Sequence, residues 1–356
     1  MPDASADQLC RTIPLAEHTT LRLGGPARQL ITATSADEIA QSVRDGTASG
    51  EPTLVLGGGS NVVIADRGFP GTVVLIRSRG VRVVDQDEDT VTVQVAAGEP
   101  WDEVVTRAVA EEWSGIECLA GIPGRAGATP IQNVGAYGQE VAETITRVEV
   151  YDRSTDQVTW MAAEDCRFGY RASVFKRSDR WVVLTVEFRL RRSPDSAPVR
   201  YAELARALGV PLGSHAPLPV VREAVLSLRA GKGMVLDDSD PDTYSAGSFF
   251  TNPVLSAEAA AEVRGRCDGL GEPPCWPTGD GQVKMSAAWL IERAGFPKGY
   301  ARGAVAISSK HTLALTNRSG GTTEALLALA AEIRDGVYHR FGVRLSPEPV
   351  LVGCTF

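Results

Sequence analysis

The segment Leu54-Val55-Leu56-Gly57-Gly58-Gly59-Ser60-Asn61-Val62 is an apolar run that ends in a glycine turn. Successive N–H groups without a Cβ in the way form an anion-binding nest, and Ser60 and Asn61 add side-chain donors, so phosphate capture is the chemistry on offer. Two nucleotide-binding signatures fail. A dinucleotide fingerprint needs a third glycine where Val62 stands, and Val62-Val63-Ile64 leaves no helix start; Gly231-Lys232-Gly233 lacks the hydroxyl residue that follows the lysine of a Walker loop. Alone, the run reads more readily as a tight turn than as a ligand site. A second stretch changes that balance: Ile122-Pro123-Gly124-Arg125-Ala126-Gly127-Ala128-Thr129-Pro130-Ile131-Gln132-Asn133-Val134-Gly135-Ala136-Tyr137-Gly138 carries four glycines among amide donors and has no hairpin pattern. A misplaced glycine costs about 0.5–1 kcal/mol, so this density is expected where a ligand must approach the backbone closely. Two such loops suggest one extended cofactor.

Alternating short strands and helices must position these loops. Ser35-Ala36-Asp37-Glu38 is a capping box that opens a helix with Ile39 and Val43 on one face. Thr53 to Leu56 is a short buried strand feeding the first loop, Thr72 to Ile76 is another, and Thr90 to Ala97 places Val91, Val93 and Val95 on one face. A helix from about Pro100 precedes the second loop, and strands follow it at Arg147 to Tyr151 and Trp181 to Leu190. The polar segment 191–198 reads as a linker, with a boundary near residue 193. Beyond it, Val221, Ala224, Val225 and Leu228 lie at helical spacing, Ser286 caps a helix over 287–294, the longest helix spans about Thr323 to Phe341, and a strand at Val350 to Val352 closes the chain.

Length and composition bound the function. The 356 residues are 43% hydrophobic and 22% charged, which describes a folded protein of two or three domains. The net charge of −8 provides no long-range field for nucleic acid or an anionic membrane, so an anionic ligand must be held by local cations and amides. No secretory signal or membrane-spanning run is found, which predicts a cytoplasmic protein. The six cysteines (Cys10, Cys118, Cys166, Cys267, Cys275 and Cys354) are scattered and read as free thiols, and no metal site is expected.

Six segments, taken together and in order, resemble the UDP-N-acetylenolpyruvoylglucosamine reductase family. They are His18 to Gly25, Gly57 to Asn61, Ile122 to Gly138, Arg167 to Lys176, Gly247 to Pro253 and Pro347 to Val350, spanning about residues 15 to 353. The resemblance implies an α+β fold: a two-part FAD-binding domain of the vanillyl-alcohol-oxidase (PCMH) type over 15–193, split near residue 76, and a C-terminal α/β substrate-binding domain over 194–356 whose last strand returns to the FAD domain. The stretch from Arg192 to Arg229 resembles the insertion of the longer family type, whose tyrosine loop closes over substrate.

The same resemblance implies the chemistry. NADPH would pass a hydride to FAD, and FAD would pass it to the enolpyruvyl C3 of UDP-N-acetylenolpyruvoylglucosamine. Ser248 would be the general acid for the strongly basic enolate, Arg171 the donor to its developing charge, and Glu348 the second catalytic carboxyl. Beside an anionic enolate Glu348 needs a raised pKa or a close Arg or Lys. Leu56, Gly57, Gly58, Gly59, Ser60 and Asn61 of the first loop would bind FAD. So would Ile122, Pro123, Gly124, Gly127, Ala128, Gln132, Asn133, Gly135, Ala136, Tyr137 and Gly138 of the second. Tyr170, Tyr201, Lys232 and Asn252 would bind substrate, and Thr251 replaces a lysine of some relatives. Neither His18 nor Cys118 argues for a covalent flavin, so FAD is expected to be released on denaturation, from a monomer whose partners are small molecules. Each assignment has a plainer rival: Ser248 could brace a turn, and Glu348, Arg171 or Lys232 could be solvated surface charges. Two other functions compete, a flavin-dependent sugar or alcohol oxidase on the same cofactor domain and a nucleotide-sugar sensor without turnover.

Overall fold

The computed structural model describes residues 13–279 and 281–356; the amino-terminal residues Met1 to Asp7 and Cys10 lie outside that range. Pro26–Ala33 and Thr53–Leu56 both run parallel to Phe69–Ile76, which lies between them. The connection is the helix Ala36–Ser49, whose Ile39, Ala40 and Val43 are buried. Ser35 accepts from the Glu38 N–H at 3.1 Å, while the Glu38 carboxylate reaches back to the Thr34 N–H at 2.7 Å, so the helix start is satisfied from both sides.

A second sheet is antiparallel throughout, in the order Gln157–Ala162, Ile145–Asp152, Trp181–Arg192, Thr90–Ala96, Val81–Gln86. Val91, Val93 and Val95 face its core. The central strand runs through Arg192 and buries Val183 besides the alternating residues, because the helix Ala36–Ser49 packs on it from the other side.

The chain does not leave this first core after residue 193. Val199, Leu204, Ala205, Ala216, Val221 and Val225, from the helices Ala202–Leu208 and Leu218–Gly231 and their flanks, pack into it. The buried Glu117 carboxylate stitches that segment down, accepting from the Ala197 N–H and the Gln139 amide, each at 2.9 Å. The apolar stripe of the second helix finds its nearest cover there, which outweighs the polar, proline-bearing look of the linker. A second core forms around the helix Thr323–Phe341, capped by Thr322 and ended by left-handed Gly342, and the strands Ser245–Ser248, Ala314–Asn317 and Val305–Ile307. It recruits Leu21, Leu23 and Val63 from the start of the chain. The final strand Val350–Val352 pairs in parallel with Val62–Ile64, directly after the first glycine loop.

Candidate functional site

The strand Thr53–Leu56 delivers residues 57–61 against the second glycine loop, and the fit between them explains the glycines. A Cβ on Gly58 would stand 2.6 Å from the Gly124 Cα, and one on Gly59 (φ +63°) 1.9 Å from the His18 carbonyl oxygen. The tight approach that the glycine density implies is thus made first by protein on protein. The interlocked loops then face a cavity of about 450 Å³. Leu56 to Asn61, Ile122 to Gly124, Gly127, Ala128, Gln132 and Gly135 all line it, and so do Arg171, Ser248 and Glu348.

The remaining residues of the second loop do other work. Asn133, buried at φ +46°, donates to Gly169 O at 3.1 Å and to Glu140 at 2.7 Å, bracing the loop from behind. Ala136 pairs with Gln139 in a two-stranded turn, and Gly138 abuts Arg200. Tyr137 meets Tyr201 edge-on at 5.5 Å, with the Lys232 ammonium 5.6 Å from its ring. Lys232 is paired with Glu203 at 2.6 Å. Tyr170 hydrogen-bonds with Asn252 and carries the Lys284 ammonium 4.6 Å from its ring. The Asn252 carboxamide oxygen accepts from the Ala287 N–H at 2.9 Å. Tyr170, Tyr201, Lys232 and Asn252 do not line the main cavity; they form two polar clusters, one beside Arg171 and one beyond Gly135.

Ser248 and Glu348 arrive together because their segments run side by side. Phe250 and Pro347 form an antiparallel bridge, and the Glu348 N–H donates to Phe249 O at 2.9 Å. Among the described residues none hydrogen-bonds the Ser248 hydroxyl, so it is not spent on bracing a turn. Arg171 sits at φ +52°, an uncommon conformation for a non-glycine residue, and Lys176 caps its carbonyl at 2.9 Å. Its terminal nitrogens donate to Gly135 O at 2.7 Å and Asn133 O at 3.3 Å, and its Nε lies 3.4 Å from Glu348 Oε1. Gln132 Nε2 reaches the same oxygen at 3.3 Å, and Gln132 Oε1 accepts from Asn61 Nδ2 at 2.8 Å. Burial pushes the Glu348 carboxyl above the ordinary carboxylate range, against the pull of Arg171, Lys176 and Gln132. Glu348 therefore has both a raised pKa and a cationic neighbour.

Sequence reasoning did not single out Arg125, Arg153, Arg177 or Arg229, all of which line the cavity. The Nε atoms of Arg153 and Arg229 are buried without a partner. A buried orphan donor on a cation is costly unless an anion meets it, so these guanidinium groups and the amide-rich loops fit a diphosphate-bearing cofactor such as FAD. Isolated arginines in a chain with 36 Lys and Arg carry no positional signal. His311 has no role legible in the sequence; burial together with Lys232, Lys298 and Arg229 lowers its pKa to about 4, so it is neutral at pH 7. The described cysteines, Cys118, Cys166, Cys267, Cys275 and Cys354, are free thiols. Among the described residues no cluster of three or more His, Cys, Asp or Glu could hold a metal, and no helix is long and apolar enough to cross a membrane.

Residues 27–161 match the family model described as FAD binding domain, and residues 240–352 match that of the UDP-N-acetylenolpyruvoylglucosamine reductase C-terminal domain. The chain is 64% identical to the UDP-N-acetylenolpyruvoylglucosamine reductase of Salinispora arenicola, over 99% of this chain and 97% of that one. It is 58% identical to that of Thermobifida fusca, over 97% and 98%. The solved structure of UDP-N-acetylenolpyruvylglucosamine reductase from Thermus caldophilus matches with a TM-score of 0.66 at 23% identity, covering 96% of this chain and 97% of that one. At that identity the likeness speaks for the fold.

Proposed function

Because the chain belongs to the UDP-N-acetylenolpyruvoylglucosamine reductase family, we propose that Arg171, Ser248 and Glu348 are its catalytic groups. The protein is a FAD-binding oxidoreductase, a UDP-N-acetylmuramate dehydrogenase of peptidoglycan precursor synthesis, that reduces the enolpyruvyl ether of UDP-N-acetylglucosamine. In this reading residues 15–193 carry FAD in two lobes that part near Ile76. Residues 194–356 supply the substrate side, although Val199 to Val225 pack back on the first core, and Val350–Val352 returns to the cofactor. The enzyme acts as a cytoplasmic monomer on small molecules, with NADPH as hydride donor and FAD held without a covalent bond.

Bound FAD supplies hydride transfer to the enolpyruvyl C3. The rest falls to the chain. Interlocked loops 57–61 and 122–125 offer amide N–H groups, those of Ala126, Gly127 and Ala128 being taken by Glu99 O, Ala97 O and Arg125 O, and Arg153 and Arg229 offer unpaired Nε–H groups, to the cofactor's diphosphate. Reduction at C3 leaves negative charge on C2 and the substrate carboxylate, and Arg171 answers it. Of its five N–H donors two are committed to Gly135 O and Asn133 O, while the Nε side is ion-paired with Glu348, which leaves one on each terminal nitrogen for two parallel bonds to that carboxylate. Burial favours the protonated form of Glu348, and in that form it approaches the same charge without repulsion and adds a donor. Ser248 Oγ, not engaged by the protein, gives its proton to the basic C2. Tyr170 with Asn252, and Tyr201 with Lys232, hold the nucleotide-sugar outside the main cavity.

The observation that carries this reading is the convergence of the Arg171–Glu348 pair and an unspent serine hydroxyl on a cavity floored by two glycine loops. Stopped-flow mixing of the FAD-loaded enzyme tests it. Bleaching by NADPH followed by reoxidation with the UDP-enolpyruvyl sugar is expected; reoxidation by oxygen alone would overturn it.

A further inference from the structure

Glu348 is held by more than its arginine. A Gln carboxamide has one acceptor and two donors, so when its oxygen is taken by the Asn61 amide at 2.8 Å its nitrogen is turned toward Glu348 Oε1 at 3.3 Å. Asn61 is fixed in turn, because its backbone carbonyl accepts from the Val350 N–H at 2.9 Å, two residues beyond Glu348. The contacts close a ring through the chain: Glu348, Gln132, Asn61, Val350 and back to Glu348. The ring joins the first glycine loop, the second glycine loop and the terminal strand at the carboxyl group.

We propose that Gln132, oriented by Asn61, is the positioning residue for Glu348: its donation to Oε1 confines the carboxyl proton to Oε2 and sets the pH at which that proton is lost. This inference rests on the reading of Glu348 as a neutral catalytic acid. With Gln132 Nε2 donating at 3.3 Å and the Arg171 guanidinium paired at 3.4 Å, a proton placed on Oε1 would face an N–H group and a cation. On Oε2 it meets neither. The Gln132 N–H and the Arg171 charge both favour the carboxylate over the acid, so each lowers the pH at which Glu348 ionises, while burial raises it. The charged or titratable groups facing the carboxyl are Arg171, Lys176 and the Tyr170 phenol. Two of these are cations that catalysis needs or that hold the Arg171 backbone, which leaves the neutral amide as the part that tunes the acid without changing the charge of the site.

The test uses FAD-loaded enzyme with two readouts, the infrared carboxyl band of Glu348, identified by its loss in Glu348→Gln, and the pH profile of kcat. Gln132→Met keeps the length and removes the donor. It is expected to move both the band's midpoint and the alkaline limb upward by about 0.5–1 pH unit, the worth of an ordinary hydrogen bond. Asn61→Ala, which frees the Gln132 amide to turn, is expected to shift both in the same direction by less, and it carries the test should Gln132→Met fold poorly. A kcat lowered by one factor at every pH, with the midpoint unmoved in the folded variants, overturns the positioning role and leaves the catalytic reading intact. A limb that persists unchanged in Glu348→Gln overturns the reading of Glu348 itself, and this inference with it.

Discussion

The floor of the cavity and its end wall are built on opposite principles. The floor is backbone against backbone: Gly58 meets Gly124 so closely that what matters about either residue is the absence of a side chain. The wall is side chain against side chain: Asn61, Gln132, Glu348 and Arg171 are linked at 2.8, 3.3 and 3.4 Å, and their identities are everything. In the proposed reading a floor of amides recognises a diphosphate whatever reaction is run above it, and the wall, which gathers residues from four distant points of the chain, selects the reaction. That reading makes binding of FAD and turnover of the sugar separable, with substitutions sorted by which part they touch.

The largest separation is expected at Ser248. Ser248→Ala removes a hydroxyl beside the wall that no described residue engages, and nothing on the floor. Reoxidation by the enolpyruvyl sugar should slow by about 10²–10⁴-fold, the usual worth of a positioned general acid, while bleaching by NADPH keeps its rate in the same stopped-flow traces. If both half-reactions slow together, the hydroxyl serves the floor and the division fails. Arg171→Lys comes next. Lysine has three donors on one nitrogen, so it cannot hold Gly135 O and Asn133 O, pair with Glu348 and still grip a substrate carboxylate. A loss of about 10²–10³-fold in kcat is expected, as for one preorganised donor to developing charge, with the visible flavin spectrum retained. Near-normal kcat would show that charge alone suffices.

The two parts also differ in how far the sequence announces them. Floor and scaffold are local: Ser35 caps its helix, Val91, Val93 and Val95 alternate, and Gly57-Gly58-Gly59 follows a strand, so period and turn chemistry suffice. The wall is not local. Nothing in the spacing of Arg171, Ser248 and Glu348 says that they meet; family resemblance, rather than residue pattern, is what groups them. Arg153 and Arg229 escaped even that, since a cation becomes informative only once its Nε is seen buried and unpaired. Asn133, Ala136, Tyr137 and Gly138 mark the converse limit. A motif read along the chain does not show which residues turn to the cavity, and Asn133 is consumed by Gly169, Glu140 and Ala142 behind the loop. The linker near residue 193 misleads for a related reason, because its composition is a linker's while the stripe of Val221 and Val225 beyond it still seeks the first core.

Within the floor, the interlock should show in FAD affinity. Gly58→Ala drives a methyl to 2.6 Å from the Gly124 Cα, a backbone atom that cannot rotate away. Overpacking of this kind costs about 1–3 kcal/mol, so the loops must part and FAD should bind roughly 5–150-fold more weakly in a flavin fluorescence titration. Ser248 and Arg171 would keep their kinetic roles at saturating FAD.

The smallest effect is expected one residue away. A Cβ on Gly57 would lie 3.6 Å from the Cβ and Cγ of Arg125, ordinary van der Waals contact with a flexible side chain, and its φ lies outside the left-handed range. Gly57→Ala keeps the N–H that the anion nest needs and reduces the freedom of the unfolded chain, which at a compatible site stabilises by about 0.4–1 kcal/mol. FAD affinity should therefore stay within about threefold of the parent, with a slightly raised Tm, although Gly57 and Gly58 are neighbours on the same turn. Equal losses at both positions would mean that the cofactor itself presses on the whole run of glycines. The contact between Gly58 and Gly124 would then no longer account for why the turn is written in glycine.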